Sequence, residues 1–274
     1  MNHPPRIISF GEILFDVFED GAHLGGAPLN LAVHLHRLGA QVQLISAVGE
    51  DELGDKAIRQ IIREGLSASC IARIPQPTGT VTVGLNQAKV PSYRFLSDCA
   101  YDCIPEPGMK LENPDLFCFG TLAQRGEVSR NTLTKLLKTV SCRVFCDVNL
   151  RQNFYSREIL ERSLDAADLV KLNEDELPVI ASLFKIVPDC AVLAERFCLE
   201  TVILTLGPEG CQIHHQGRSF SSPAWPTQIV STVGAGDAFS AAFLSSILSG
   251  DPIETAAVKG NRLAAEVASI ASAF

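Results

Sequence analysis

The sequence predicts an α/β fold in which a mostly parallel sheet is covered on both faces by helices. Two observations predict it. Short apolar runs rich in β-branched residues alternate along the chain with amphipathic helical patterns. The 274 residues, 46% hydrophobic and 20% charged, are enough to bury a large core. No linker or repeat is visible, so we expect a single domain over residues 1–274.

The elements follow in order from this alternation. Strands are predicted at residues 6–13, 42–48, 116–119, 143–148, 169–172 and 201–206. Helices are predicted at residues 30–38, 51–64, 127–140, 158–167, 174–183 and 191–197, followed by two C-terminal helices. In such sheets ligands bind beyond the carboxyl ends of the strands, so the residues just after strands are the candidates for a site.

One region breaks the alternation. Residues 78–86 and 91–96 have the pattern of two short strands joined by a turn, and the segment from 15 to 25 is predicted to be irregular. We expect segments of about 15–25 and 78–103 to form a small β lid over the edge of the sheet. An ordinary surface hairpin is the alternative.

Charge and cysteine content exclude several classes of function. The formal net charge is -8, which argues against binding to nucleic acid or to an anionic membrane. No apolar signal core or membrane-spanning run is visible, and the nine cysteines form no CxxC pair, so we expect a cytoplasmic protein with free thiols. Cys142 and Cys146 are predicted to be core residues, and His214-His215 to lie at a hairpin end.

The strongest functional pattern is the segment 231–239, Ser-Thr-Val-Gly-Ala-Gly-Asp-Ala-Phe, which runs into an amphipathic helix. The small residues Gly234, Ala235 and Gly236 let a ligand approach backbone N–H groups at the positive end of the helix. Asp237 lies where it can accept a proton from a hydroxyl, which suits phosphoryl transfer to an alcohol. The alternative is a common small-residue turn whose Asp is favoured by the helix dipole alone.

Two further segments are candidates for substrate contacts. Gly25 and Gly26 lead into a helix, and Asn30 with Asp16 would hydrogen-bond a polyol, unless Asn30 only caps that helix. Asp147-Val148-Asn149-Leu150-Arg151 follows a buried strand, and its alternating polar residues are predicted to point the same way. Arg151 offers forked donors to a phosphate; a salt-bridged surface turn is the alternative.

Two more segments begin where strands end. The acidic residues of Asn173–Glu176 either belong to the first turn of a helix or organise magnesium through waters. The segment Thr205–Gly210, with its two glycines, is either a plain turn or a phosphate-facing loop.

Together these segments, with Val48-Gly49-Glu50-Asp51 and in this order, resemble the ribokinase-like (PfkB-type) family of sugar and nucleoside kinases over nearly the whole chain. The resemblance implies a three-layer α/β/α sandwich with a β lid, ATP as phosphoryl donor and Mg²⁺ as helper. It implies that Asp237 is the base and that the N–H groups of Gly234, Ala235 and Gly236 form an anion hole.

The resemblance also implies the remaining roles. Asp16, Gly25, Gly26 and Asn30 would hold the sugar, and Arg151 would reach the transferred phosphate. Glu176 would organise Mg²⁺ through water. The nucleotide side would be lined by Asn173, Thr205, Gly207, Gly210 and Asn261. Ser231 stands where the family usually has Asp, and the end at Ala271–Phe274 lacks the usual Gly-Ala, which argues against activation by a monovalent cation.

Within the family, Gly11–Asp16 and the Gly25–Asn30 entry are similar to fructokinases, so fructose is the expected sugar. A 2-keto-3-deoxygluconate kinase is the nearest alternative, and a sugar-sensing protein without catalysis is the alternative from another class. A dinucleotide-dependent oxidoreductase is a poor third alternative because no GxGxxG follows the first strand. The expected partners are a sugar and ATP, with a homodimer formed through the lid.

Overall fold

The computed structural model describes residues 3–18, 21–85, 91–109, 111, 113–270 and 273–274. Parts of the two predicted lid segments, at 19–20 and 86–90, lie outside the described residues, as do Ala271 and Ser272 of the C-terminal end.

The strands and helices alternate along the chain as predicted. The strands are β1 (Arg6–Phe10), β2 (Leu14–Phe18), β3 (Gly21–Gly25), β4 (Gln41–Gly49), β5 (Ile71–Ile74), β6 (Gly79–Leu85), β7 (Pro91–Phe95), β8 (Leu116–Gly120), β9 (Arg143–Asp147), β10 (Leu169–Asn173), β11 (Thr201–Thr205), β12 (Cys211–His215) and β13 (Arg218–Ser222). The helices are α1 (Ala27–Arg37), α2 (Glu52–Arg63), α3 (Glu127–Leu137), α4 (Arg157–Ala166), α5 (Glu176–Phe184), α6 (Cys190–Phe197), α7 (Ala235–Leu248) and α8 (Ile253–Ala268).

A nine-stranded sheet forms the centre of the fold, in the order β13-β12-β11-β10-β9-β8-β1-β4-β5. Strands β11 to β5 of this order pair in parallel, whereas β12 and β13 form an antiparallel hairpin at one edge. Residues Gln216 and Gly217 turn this hairpin with positive φ values of 48° and 78°. His214-His215 therefore lies at a hairpin end, which confirms that prediction.

Helices cover both faces of the sheet, because successive residues of its strands point to opposite sides. In β1, Ile7 belongs to the core on the side of α1, α2, α7 and α8, whereas Ile8 belongs to the core on the side of α3, α4, α5 and α6. The predicted three-layer α/β/α arrangement is confirmed. Cys142 and Cys146 both pack in the second of these layers, and all nine cysteines are free.

A second sheet of four strands, in the order β3-β2-β6-β7, adjoins the first. The prediction of irregular structure between residues 15 and 25 is wrong, because β2 pairs with β3 and with β6 there. The period of two was present in the sequence: Phe15 and Val17 face the core, while Asp16 faces the other way. Strands β3 and β7 are its edges, and the homodimer through this sheet stays a prediction.

The first predicted strand, 6–13, is also too long. The backbone of Gly11 has a φ of 149°, and the chain leaves the central sheet after Phe10. None of the helices in the described part of the chain is long and apolar enough to cross a membrane.

Candidate active site

A cavity of about 690 Å³ lies at the carboxyl ends of β1, β9, β10 and β11 and extends to the second sheet. This is the edge of the sheet at which the sequence predicts a site. The cavity brings together residues that lie far apart in the chain, from Glu12 to Asp237. Those among the predicted site residues are Asp16, Gly26, Asn30, Arg151, Asn173, Glu176, Thr205, Gly234, Gly236 and Asp237.

The start of α7 provides open backbone donors. Gly234 is its N-cap residue, with a φ of 79°, and no side chain caps the helix. A Cβ at Gly234 would lie 2.7 Å from the backbone of Ala273, so only glycine fits. Among the described residues, the N–H groups of Gly234 and Gly236 have no acceptor, whereas Ala235 donates to the carbonyl of Thr232 at 3.3 Å. The N–H groups of these two glycines are therefore open to a ligand.

Asp237 follows directly in the first turn of α7. Its Oδ2 accepts a hydrogen bond from Nδ2 of Asn30 at 2.7 Å, which joins α7 to α1. Burial, together with the nearby Asp147 carboxylate, raises the pKa of Asp237 to about 6, against the opposing effects of Lys171, Asn30 and Arg151. A carboxylate with a pKa close to neutral is well suited to accept a proton from a hydroxyl.

The start of α1 depends on a glycine. Gly26 is the N-cap residue, with a φ of 117°, and a Cβ there would lie 2.4 Å from the carbonyl oxygen of Glu12. The helix therefore packs directly against the segment after β1, and this packing holds Asn30 at the cavity wall. Asp16 lines the cavity from β2, and burial raises the pKa of its carboxyl.

A buried ion pair forms another part of the wall. Asp147 ends β9 and is in register with Lys171 on the parallel strand β10, so their side chains lie side by side. Nζ of Lys171 donates to Oδ2 of Asp147 at 2.7 Å, and each side chain is 10% exposed. Burial lowers the pKa of Lys171, but Asp147 and Asp237 outweigh that effect and raise it above its ordinary value, so Lys171 is an ammonium ion.

The strand β9 ends at Asp147, one residue earlier than predicted, and Asn149 has a positive φ of 43°. The sequence predicted that Asn149 and Arg151 would point the same way by the alternation of an extended strand. In the structure they reach the cavity from a turn instead. Both still line the cavity, and Arg151 keeps an exposed guanidinium.

Glu12 is the most deeply buried acidic group of the cavity, with 2% of its surface exposed. Burial, with smaller contributions from the charges of Asp237 and Asp147, raises the pKa of its carboxyl to about 7, against a backbone hydrogen bond and the charge of Arg151. Its Oε2 atom has no hydrogen-bond partner among the described residues. Glu12 therefore takes up and releases a proton near neutral pH inside the cavity wall.

We expect Glu12→Gln to make the stability of the protein less dependent on pH. The pKa of Glu12 is about 7 in the fold against 4.5 for the free side chain, so the folded chain binds more protons between these values. The free energy of unfolding therefore falls as pH rises through this interval, by about 3 kcal/mol. The glutamine cannot ionise, and the difference in Tm between about pH 5 and about pH 8 should shrink.

The matched control is Glu195→Gln, at an exposed position on α6. Its difference in Tm between the two pH values should equal that of the wild type. An unchanged difference in Glu12→Gln would show that Glu12 ionises in the fold as it does in the unfolded chain.

The acidic segment after β10 both begins a helix and lines the cavity. Oδ1 of Asn173 accepts the N–H of Glu176, and the carboxylate of Glu176 accepts the N–H of Asn173 at 2.9 Å in return. The second oxygen of Glu176 accepts the N–H of Leu150 at 2.6 Å. Burial raises the pKa of Glu176. Its carboxylate is thus fixed in place beside the cavity.

The remaining predicted site residues do not line this cavity. Asn261 is buried, and its amide donates to the carbonyls of Ser222 and Pro223. Gly210 packs against the same carbonyl of Ser222, and Gly207 is exposed beside it. Their predicted roles on the nucleotide side stay predictions, and the structure gives Asn261 and Gly210 a packing function.

Gly25 and Ser231 line a neighbouring cavity of about 850 Å³. The two cavities share Asp16 and Asn30 in their walls. This second cavity lacks Asp237 and the open N–H groups of α7. We therefore place the chemistry in the cavity that contains Asp237.

Sequence reasoning missed Glu12 and Lys171. Each is a single charged residue inside an apolar run, and such a charge must be paired, neutralised or functional once its run is buried on both faces. That signal was available for both positions.

Comparison with known proteins identifies the family of this chain. A family model described as pfkB family carbohydrate kinase matches residues 4–273. A fructokinase from Klebsiella pneumoniae is 30% identical over 262 residues, which cover 88% of this chain and 84% of that protein. A sugar kinase from Pyrococcus horikoshii is 32% identical over 265 residues, which cover 88% of this chain and 82% of that protein.

The same Pyrococcus horikoshii protein has a crystal structure in complex with ATP. It superposes on this chain with a TM-score of 0.81 and 29% identity, over 96% of this chain and 91% of that one. The ribokinase-like fold predicted from the sequence is confirmed. The chain belongs to the pfkB family of carbohydrate kinases.

Proposed function

We propose that this protein transfers the γ-phosphoryl group of ATP to a hydroxyl of a neutral sugar, D-fructose first among them. One observation carries the proposal: Asp237, with its raised pKa, lies beside the open N–H groups of Gly234 and Gly236 in a single polar cavity. In the transfer, Asp237 takes the proton of the sugar hydroxyl. The oxygen forms a bond to the γ-phosphorus as the bond to ADP breaks.

Unpaired acceptors in the cavity wall support a polyol as substrate. Glu12, Asn30 and Asp147 each carry one buried oxygen with no partner among the described residues, and all three residues line the cavity. A buried polar atom without a partner costs about 1–3 kcal/mol. Sugar hydroxyls are donors that would satisfy these oxygens after small side-chain rotations, so binding a polyol relieves this cost.

The charges of the cavity favour a neutral sugar over a sugar acid. Glu12, Asp16 and Asp237 are carboxyl groups whose pKa values are already raised, and a further carboxylate beside them would be repelled. The exposed guanidinium of Arg151 favours the alternative, a 2-keto-3-deoxygluconate kinase, because it could pair with the acid. We assign Arg151 to the transferred phosphate instead.

The cavity also fits a divalent cation held mainly by the nucleotide. No group of three or more His, Cys, Asp or Glu able to hold a metal occurs in the part of the chain that the structure describes. Magnesium typically takes one or two carboxylates and the phosphates of a substrate, with waters in its other positions. Glu176 would hold it through water, and the bound ion would neutralise charge on the phosphates.

A sugar panel tests the proposal. The protein is incubated with ATP, Mg²⁺ and one sugar at a time, and release of ADP is followed with a coupled enzyme assay. We expect turnover with fructose and at least about tenfold lower kcat/KM with 2-keto-3-deoxygluconate, since like-charge repulsion of about 1.4 kcal/mol already gives that factor. Faster turnover of the acid would favour the alternative. Sugar binding without ADP release from any sugar would identify a sensor.

A further inference from the structure

Lys171 is a buried cation that the proposed transfer has not yet used. It lies in β10 with 8% of its surface exposed, and it lines the cavity with Asp237. The hydrogen bond to Asp147 uses one of the three N–H groups of its ammonium. Two donors therefore remain for other partners.

The ammonium lies next to the first turn of α7. A Cβ built on Gly236 would lie 3.3 Å from Nζ of Lys171. Gly236 is not among the residues with positive φ in the described chain, so its backbone does not demand glycine. The absence of a side chain keeps open the space between the backbone of Gly236 and the ammonium.

Two kinds of positive group thus face the same space. The free N–H of Gly236 belongs to the positive end of the α7 dipole, and the ammonium of Lys171 carries a full charge. A buried ion pair contributes little to stability compared with well-packed apolar residues, so stability alone does not explain the pair of Lys171 and Asp147. An anion that enters beside Asp237 would meet both kinds of donor.

We propose that Lys171, oriented by Asp147, binds the phosphoryl group while it passes from ATP to the sugar hydroxyl. The inference rests on the proposed kinase function. Lys171 keeps its proton throughout: the bond from phosphorus to ADP breaks, the bond to the sugar oxygen forms, and Asp237 takes the hydroxyl proton. The ammonium balances the charge on the transferred group, a contribution that is larger in the transition state than in bound ATP.

The test uses a double variant, Lys171→Met with Asp147→Asn. The single change Lys171→Met would leave Asp147 as an unpaired buried charge and endanger folding, whereas the double variant removes both charges at similar volume. We expect kcat to fall about 100- to 1,000-fold, the loss typical of removing one donor to a developing charge. The KM for the sugar should change less than about threefold, because Lys171 is assigned to the phosphoryl group and the asparagine at 147 keeps an oxygen that can accept from a sugar hydroxyl.

A binding measurement separates catalysis from structure. ADP with aluminium fluoride mimics the phosphoryl group in transfer, and its affinity in the presence of sugar and Mg²⁺ is measured by calorimetry beside that of ADP alone. We expect the double variant to bind the mimic about 100-fold more weakly and ADP within about threefold of the wild type. The companion variant Asp147→Asn keeps the ammonium of Lys171 but removes the carboxylate that orients it. Its kcat should lie between those of the wild type and the double variant.

Three results would overturn the inference. The double variant could keep kcat and affinity for the mimic within about threefold of the wild type, which would leave Lys171 a structural ion. It could lose ADP and the mimic to the same degree, which would place Lys171 in ground-state binding. Lastly, a wild-type protein that turns over no sugar in the same assay would overturn the proposed function together with this inference. The first two results would overturn the role of Lys171 alone.

Discussion

Replacing Asp237 by asparagine should lower kcat by about 100- to 10,000-fold, the usual contribution of a general base. The amide has the shape of the carboxylate and can still meet Nδ2 of Asn30, so the sugar site should keep its form. The KM for the sugar should therefore change little. Steady-state assays of ADP release, with sugar binding followed by calorimetry, measure the two effects separately.

The pH profile provides an independent measurement of the same role. Because Asp237 has a pKa of about 6 and acts in its deprotonated form, kcat/KM of the wild type should fall about tenfold per pH unit below that value. The residual activity of Asp237→Asn should lack this acid limb. The control Asp165→Asn, at an exposed position on α4, should retain both the rate and the limb. If Asp237→Asn kept a kcat close to that of the wild type, Asp237 would not be the base of the proposed transfer.

Among the variants considered, Arg125→Met should lower the free energy of unfolding most, by about 3–5 kcal/mol. The guanidinium donates to both oxygens of Asp102, at 2.7 and 2.9 Å, and both side chains are 10% exposed. It also stacks on the rings of Tyr101 and Phe154, at 4.8 and 4.6 Å from their centroids. Methionine fills part of the space but leaves Asp102 as an uncompensated buried charge.

Lys135→Met is the matched control for this variant. It breaks the pair with Glu106, whose side chains are 64% and 56% exposed, and such surface pairs contribute about 0–1 kcal/mol. Chemical denaturation of both variants gives the comparison. If both variants lost the same free energy of unfolding, the buried Arg125–Asp102 pair would stabilise the fold no more than the exposed Lys135–Glu106 pair.

The order of strands and helices could be predicted because each buried element needs an apolar face with its own period. The hairpin of β12 and β13 was foreseen only at its Gln-Gly turn, since its strands are short and mixed in polarity. The first strand was predicted three residues too long because apolar residues continue through Gly11 into β2. Composition does not distinguish one strand from two strands of different sheets.

The site was predictable where a residue follows a strand or begins a helix. Asp237 and Asn30 are such residues, and the structure places them in direct contact. The ion pair of Asp147 with Lys171 depends instead on the register between two strands, which no single segment encodes. Asn261 was assigned to the nucleotide side by its sequence position, and its amide donates to the backbone carbonyls of Ser222 and Pro223. Sequence position alone does not reveal such a partner.

The hydrogen bond from Asn30 to Asp237 joins residues that are 207 positions apart. During synthesis on the ribosome, which proceeds at about 5–20 residues per second, the first helix must wait at least about ten seconds for its partner to be made. A nascent chain that lacks α7 has neither Asp237 nor the open N–H groups at the start of this helix. Under the proposed function, a sugar that contacts both Asn30 and Asp237 stabilises the finished molecule more than a chain that ends before α7.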